Sequence, residues 1–89
     1  MISIFRVRGS SMAPNFLDND LVIATKLSFF NVNDVVVLKT NLYGNVLKRI
    51  RSIKNNAYEV VSDNQSYDSK INNEFFEKNQ ILGKVILKI

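Results

Sequence analysis

The chain has 89 residues, 12 Lys and Arg against 8 Asp and Glu, a net charge of +4, and neither cysteine nor histidine. That length suits one small domain, residues 1–89, with a limited core. The missing residue types exclude disulfides, Cys or His zinc sites, cysteine proteases and Ser-His-Asp triads. A hydrolase built on this chain must take its base from Lys, Asp, Glu, Tyr or a chain terminus.

Short runs rich in β-branched and aliphatic residues predict strands, in order, over Ile2–Arg8, Leu21–Thr25, Val35–Thr40, Val46–Ile53, Tyr58–Ser62 and Ile81–Ile89. The first run ends at Gly9-Ser10-Ser11-Met12-Ala13-Pro14, and Ser11–Leu17 has room for one helical turn. The pairs Asn19-Asp20, Asn33-Asp34 and Gly44-Asn45 each precede a strand start. Asn and Gly tolerate the positive φ that tight turns demand. Phe29-Phe30 sits in a polar turn, and two adjacent side chains of an extended segment point to opposite sides, so at least one ring is expected to be exposed as a membrane or partner contact. A second helical turn is expected at Asn73–Lys78. The fold class is all-β: a small partly open barrel or two packed antiparallel sheets.

No apolar run approaches the roughly 20 residues of a membrane span. The first residues lack the long apolar segment of a signal peptide. The expected location is cytoplasmic, with membrane association only through a partner or a further segment. No cofactor and no metal are expected.

Three clusters carry candidate chemistry. On a strand, Val46, Lys48, Ile50 and Ser52 share one face. If that face is buried, desolvation lowers the Lys48 pKa and yields an amine able to take a proton from a hydroxyl. If the Arg49-Arg51 face is the buried one, Lys48 is an ordinary solvated lysine. The Gly9–Pro14 turn, at a strand end, presents hydroxyls beside free backbone N–H groups, as a plain Gly-Ser loop also does. The run Ser62-Asp63-Asn64-Gln65-Ser66-Tyr67-Asp68-Ser69-Lys70 reads as a structured polar turn.

In order and spacing these clusters resemble the type I signal peptidases and their soluble relatives, which include the small nickel-superoxide-dismutase maturation proteases and the self-cleaving domains of SOS-response repressors. The stretches that carry the resemblance are Val7–Pro14, Asn19-Asp20-Leu21-Val22, Asn33–Val37, Leu47-Lys48-Arg49-Ile50, Ser62–Lys70 and Ile81–Val85. In size and motifs the chain is most similar to the nickel-superoxide-dismutase maturation proteases. The resemblance implies a serine endopeptidase with a Ser-Lys dyad, in which Ser11, directly before Met12, is the nucleophile and Lys48 the general base. It assigns Ser66 to a hydroxyl that hydrogen-bonds the lysine, Asp68 and Lys70 to a structural ion pair, and Gly9 to a position where some relatives carry a second oxyanion donor. The Ser11 N–H is the first donor. Asn19 and Asn33 stand where glycines are common, and Ser62 replaces a usual Gly.

The implied substrate is a protein segment bound in extended form, cleaved to remove an N-terminal extension or signal-like segment. Phe5 and Val7 are expected either as pocket walls or as core. A self-cleaving repressor fits less well, since almost nothing precedes Ile2, and a membrane signal peptidase would carry an anchor before the nucleophile. One rival is a small basic barrel that binds nucleic acid through Phe29, Phe30, Tyr43, Tyr58 or Tyr67. Nucleic acid is not expected as a partner, because the motif order argues against that reading. Another rival is a catalytically inactive interaction domain of the same fold.

Overall fold

The computed structural model describes residues 2–66 and 72–89. Its seven strands are β1 (Ile2–Arg6), β2 (Leu21–Thr25), β3 (Val35–Thr40), β4 (Gly44–Lys54), β5 (Ala57–Val61), β6 (Phe75–Glu77) and β7 (Ile81–Lys88), and a short 3-10 turn over Lys78–Gln80 leads into β7. All pair antiparallel in one sheet of order β1-β2-β7-β3-β4-β5-β6. The fold is therefore all-β and open, with β1 and β6 as the edges of a single sheet. Among the described residues no helix is long and apolar enough to cross a membrane.

The central strand shows why the sheet must curl. Val35, Val36, Val37 and Leu38 are all buried, so β3 is covered on both faces. Val36 and Leu38 join Phe30, Ile50, Tyr58, Val60, Phe76 and Ile81 in one apolar cluster. Val35 and Val37 join Val7, Met12, Val22, Ala24 and Leu47 in another. Two-fold alternation along one strand thus divides the core into two layers. Val7 and the half-buried Phe5 belong to the second layer, which fills their expected core role.

Turn chemistry follows the asparagines. Asn19 and Asn33 adopt φ of 72° and 76°, and Gly44 adopts 69°. In each of the first two turns an aspartate accepts the N–H three residues earlier: Leu17 to Asp20 Oδ2 and Asn31 to Asp34 Oδ2, both at 2.8 Å. Asn55 and Asn56, with φ of 51° and 64°, close the β4–β5 hairpin with the doubly positive turn that matches strand twist.

Three expectations are corrected. Phe75–Glu77 within Asn73–Lys78 forms a strand, because Phe76 buries itself beside Tyr58 while the backbone pairs with β5. Past Ile50 a register shift disrupts the β4 alternation, so Ser52 pairs with Glu59 and leaves the Val46–Lys48–Ile50 face to Ile53, opposite Tyr58. Phe30 and Tyr58 are core residues that meet edge to face at 6.0 Å and 80°, which removes both as stacking platforms. Phe29 is 67% exposed, as expected for one ring of the pair. Tyr67 lies outside the described residues.

Candidate functional site

Ser11 sits on a turn tied at both ends. Val7 N–H donates to the Asp20 carbonyl and Asn19 N–H to the Val7 carbonyl, each at 2.8 Å. Gly9 then turns the chain with φ of 79°, a value that favours glycine, and its N–H donates to Asp18 Oδ1 at 2.7 Å. Beyond Ser11 the Phe16 N–H reaches the Met12 carbonyl at 2.9 Å, closing the expected helical turn. Met12 is fully buried and pins the turn to the core. Ser11 itself is half-buried, and its carbonyl accepts the Asn64 N–H at 2.9 Å. Among the described residues neither the Ser11 N–H nor its Oγ has a hydrogen-bond partner.

Lys48 is only 3% exposed. The strand pattern predicts this when the Val46–Ile50 face is the buried one, and it is: Ile50 lies in the first core layer, Val46 packs against it, and Val36 stands opposite Lys48 across the ladder. Desolvation lowers the Lys48 pKa from the ordinary 10.5 to about 8. Its Nζ donates to Ser62 Oγ at 2.9 Å. Ser62 Oγ in turn donates to Asn72 Oδ1 at 2.9 Å, and the Ser62 N–H reaches the same oxygen at 2.8 Å.

Among the described residues the hydroxyl on the lysine is that of Ser62, where the resemblance implied Ser66. Ser66 is exposed and uses its N–H on Asn64 Oδ1 at 3.0 Å. Strand geometry accounts for the difference: Ser62 directly follows β5 and continues the Tyr58–Val60 face, the face toward which Lys48 points. That alternation was readable from the sequence. Asn72 carried no pattern that would have marked it.

One residue on, the sheet's other face holds an ion pair. Arg49 grips Asp63 with Nε on Oδ1 and Nη2 on Oδ2, both at 2.7 Å, and gives Nη1 to the Asn33 carbonyl. The hydrogen bond from Arg49 holds the Asp63 carboxyl below its ordinary pKa, and the bond to Asp63 raises that of the guanidinium. Asn15 Nδ2 also donates to Asp63, and the Asp63 N–H approaches Met12 Sδ at 3.4 Å. The predicted pair Asp68 and Lys70 lies outside the described residues.

Ser62, Asp63 and Asn64 therefore connect the two halves of the predicted dyad. Ser62 holds Lys48, Asp63 holds Met12 and Arg49, and Asn64 holds the carbonyls of Ser10 and Ser11. Two residues of extended chain span about 7 Å, so the anchor of Lys48 at Ser62 and the anchor of the Ser11 backbone at Asn64 lie within that length of chain. Every fully buried side-chain nitrogen or oxygen among the described residues has a partner. No three acidic side chains converge there as a metal site.

The open all-β sheet thus carries Ser11 on the turn after β1 and a buried lysine, Lys48, on β4. The family model described as Peptidase S24-like matches residues 2–86, and the chain belongs to that family. A comparison with curated proteins finds no match.

Proposed function

We propose that the chain is a serine endopeptidase that cleaves an extended protein segment, with Ser11 as nucleophile and Lys48 as general base. The observation that carries this reading is the buried Lys48 amine, with its pKa brought down to about 8 and its Nζ on a hydroxyl. That value leaves about a tenth of the amine neutral at pH 7 and half at pH 8, against a negligible share for an ordinary lysine, and the neutral form is what a base acting on serine requires.

In this mechanism substrate docking brings Ser11 Oγ onto Lys48 and excludes water. As Oγ bonds to the peptide carbonyl carbon, Lys48 takes the hydroxyl proton. The Ser11 N–H, which has no partner among the described residues, receives the developing oxyanion. The C–N bond then breaks, and the Lys48 ammonium protonates the leaving amine. Water attacks the acyl-enzyme while Lys48 takes its proton, the C–Oγ bond breaks, and the proton returns to Ser11.

A role in removing an N-terminal extension, as in the nickel-superoxide-dismutase maturation proteases, is the finer form of the proposal. It is supported by the order of the sequence motifs. Phe29, exposed near Leu27 and Val32 in the β2–β3 connection, is the proposed membrane or partner contact, and Phe30 takes no part in it. A cytoplasmic location goes with that proposal. The test is labelling with a serine-directed acylating inhibitor followed by peptide mass spectrometry. The adduct is expected on Ser11; an adduct on Ser10 or Ser62, or none, contradicts the assignment.

A further inference from the structure

The hydrogen bonds around Lys48 have a determined direction. A backbone N–H only donates, so the Asn72 side-chain atom 2.8 Å from the Ser62 nitrogen must be the amide oxygen. The Ser62 hydroxyl lies 2.9 Å from that same oxygen and must donate to it. With its one proton committed, Ser62 Oγ can only accept from Lys48 Nζ, at 2.9 Å. That holds whether Lys48 is the ammonium or the neutral amine.

We propose that Asn72 is a positioning residue that fixes the direction of the Ser62 hydroxyl, so that Ser62 steadies Lys48 without ever competing with Ser11 for the lone pair of the amine. The inference rests on the Ser-Lys reading for its catalytic consequence, but not for its geometry. A serine beside a neutral lysine is ambiguous by nature: its hydroxyl can accept an N–H or donate to the lone pair. Donation would stabilise the neutral amine and occupy the orbital that must take the Ser11 proton. Asn72 removes that option by binding the Ser62 N–H and O–H together. It also rules Ser62 out as the nucleophile, because its proton points away from the base. Among the described residues, the groups next in place are not bonded to the Ser62 hydroxyl. Val36 stands opposite Lys48 on β3, Val60 precedes Ser62's face on β5, and the adjacent charges Arg49 and Asp63 are paired with each other.

Two variants separate this role from a merely structural one. Asn72→Leu frees the Ser62 hydroxyl to donate, which favours the neutral amine. Asn72→Asp keeps both acceptor bonds but brings a negative charge near Nζ, which favours the ammonium. Titration of Lys48 followed by NMR on the intact chain is expected to move to lower pH in Asn72→Leu and to higher pH in Asn72→Asp. A shift in the same direction in both variants, or in neither, overturns the proposal. Asn72→Asp keeps the test open should Asn72→Leu not fold. In peptide cleavage on the alkaline plateau, Ser62→Ala is expected to lower kcat about fivefold in the wild-type chain, the rate equivalent of one hydrogen bond. In the Asn72→Leu background the same change is expected to cost nothing. Equal losses in both backgrounds contradict the positioning role. If the titrations shift as expected while no chain, wild type included, cleaves peptide, the direction set by Asn72 stands and the Ser-Lys reading fails.

Discussion

Replacing Lys48 with methionine should make the protein more stable at neutral pH while it abolishes activity. Lys48 is 3% exposed and its pKa falls from 10.5 to about 8. That gap corresponds to about 3 kcal/mol of penalty for holding the ammonium in the folded state. Methionine has a similar length, needs no proton and fits between Val46, Ile50 and Val36. Losing the hydrogen bond to Ser62 takes back about 1 kcal/mol. The net expectation is about 2 kcal/mol of added stability at pH 7, or roughly 10 °C in Tm for a domain of this size. The sign of the pH dependence follows from proton uptake. Between about 8 and 10.5 the unfolded chain binds more protons at Lys48 than the folded one, so raising the pH through that window stabilises the wild type. By the top of the window the penalty is nearly gone and the lost hydrogen bond remains, so Lys48→Met should there be no more stable than the wild type, or slightly less so. Denaturant unfolding of both chains at pH 7 and at pH 10.5 measures it, other groups cancelling in the difference. A variant less stable at pH 7, or a difference that does not change with pH, would refute the reasoning.

The nucleophile assignment predicts that Ser11→Ala loses peptide cleavage while Ser10→Ala keeps it, and that Ser62→Ala is slowed but not abolished; kcat for the three variants decides this. Asp63→Asn should lower stability at pH 7 by about 2 kcal/mol, because it weakens a charge-assisted, two-pronged bond to Arg49. The Asp63 pKa is depressed in the folded state, so its contribution is present above the ordinary carboxylate range and lost as the pH falls below it. Acid unfolding curves of the wild type and Asp63→Asn should therefore converge at low pH. Gly83→Ala would place a Cβ 3.1 Å from the Thr25 carbonyl oxygen and 3.2 Å from Ala24 Cβ, so β2 and β7 must part and Tm should fall. Phe29→Ser should leave Tm within a few degrees of the wild type, since the ring is 67% exposed, and should weaken any pull-down or vesicle association that depends on this surface.

Much of the fold could be read from the sequence because its signals are local. Leu21–Thr25 and Val35–Thr40 are bounded by Asn-Asp turns, and both strands occur with those limits. Phe75–Glu77 was hidden because a three-residue edge strand is specified by its neighbour β5 and by a pocket for Phe76, which are tertiary facts. The burial of Lys48 could be framed as a choice between two strand faces, and Ile50 beside Val36 and Val60 decides it. Ser66 was misplaced for a related reason: motif spacing carries a residue along the chain, while reach to the lysine depends on where β5 ends. Asn72 was invisible, since its partner Ser62 is ten residues away in the sequence and an asparagine side chain leaves no periodic trace. The Arg49–Asp63 pair joins the middle of β4 to the segment just past β5, which the sequence does not show as neighbours.

The central claim is that Lys48 in its neutral form activates Ser11, and the dependence of peptide cleavage on pH in the wild type and in Lys48→Arg tests it most directly. Wild-type kcat/KM should rise through a pKa of about 8, the value set by burial of the amine, and level off above it. Lys48→Arg keeps the positive charge but stays protonated at every usable pH, so it should show no cleavage across the whole range. Appreciable turnover by Lys48→Arg, or a wild-type profile that does not rise through that region, would contradict the account.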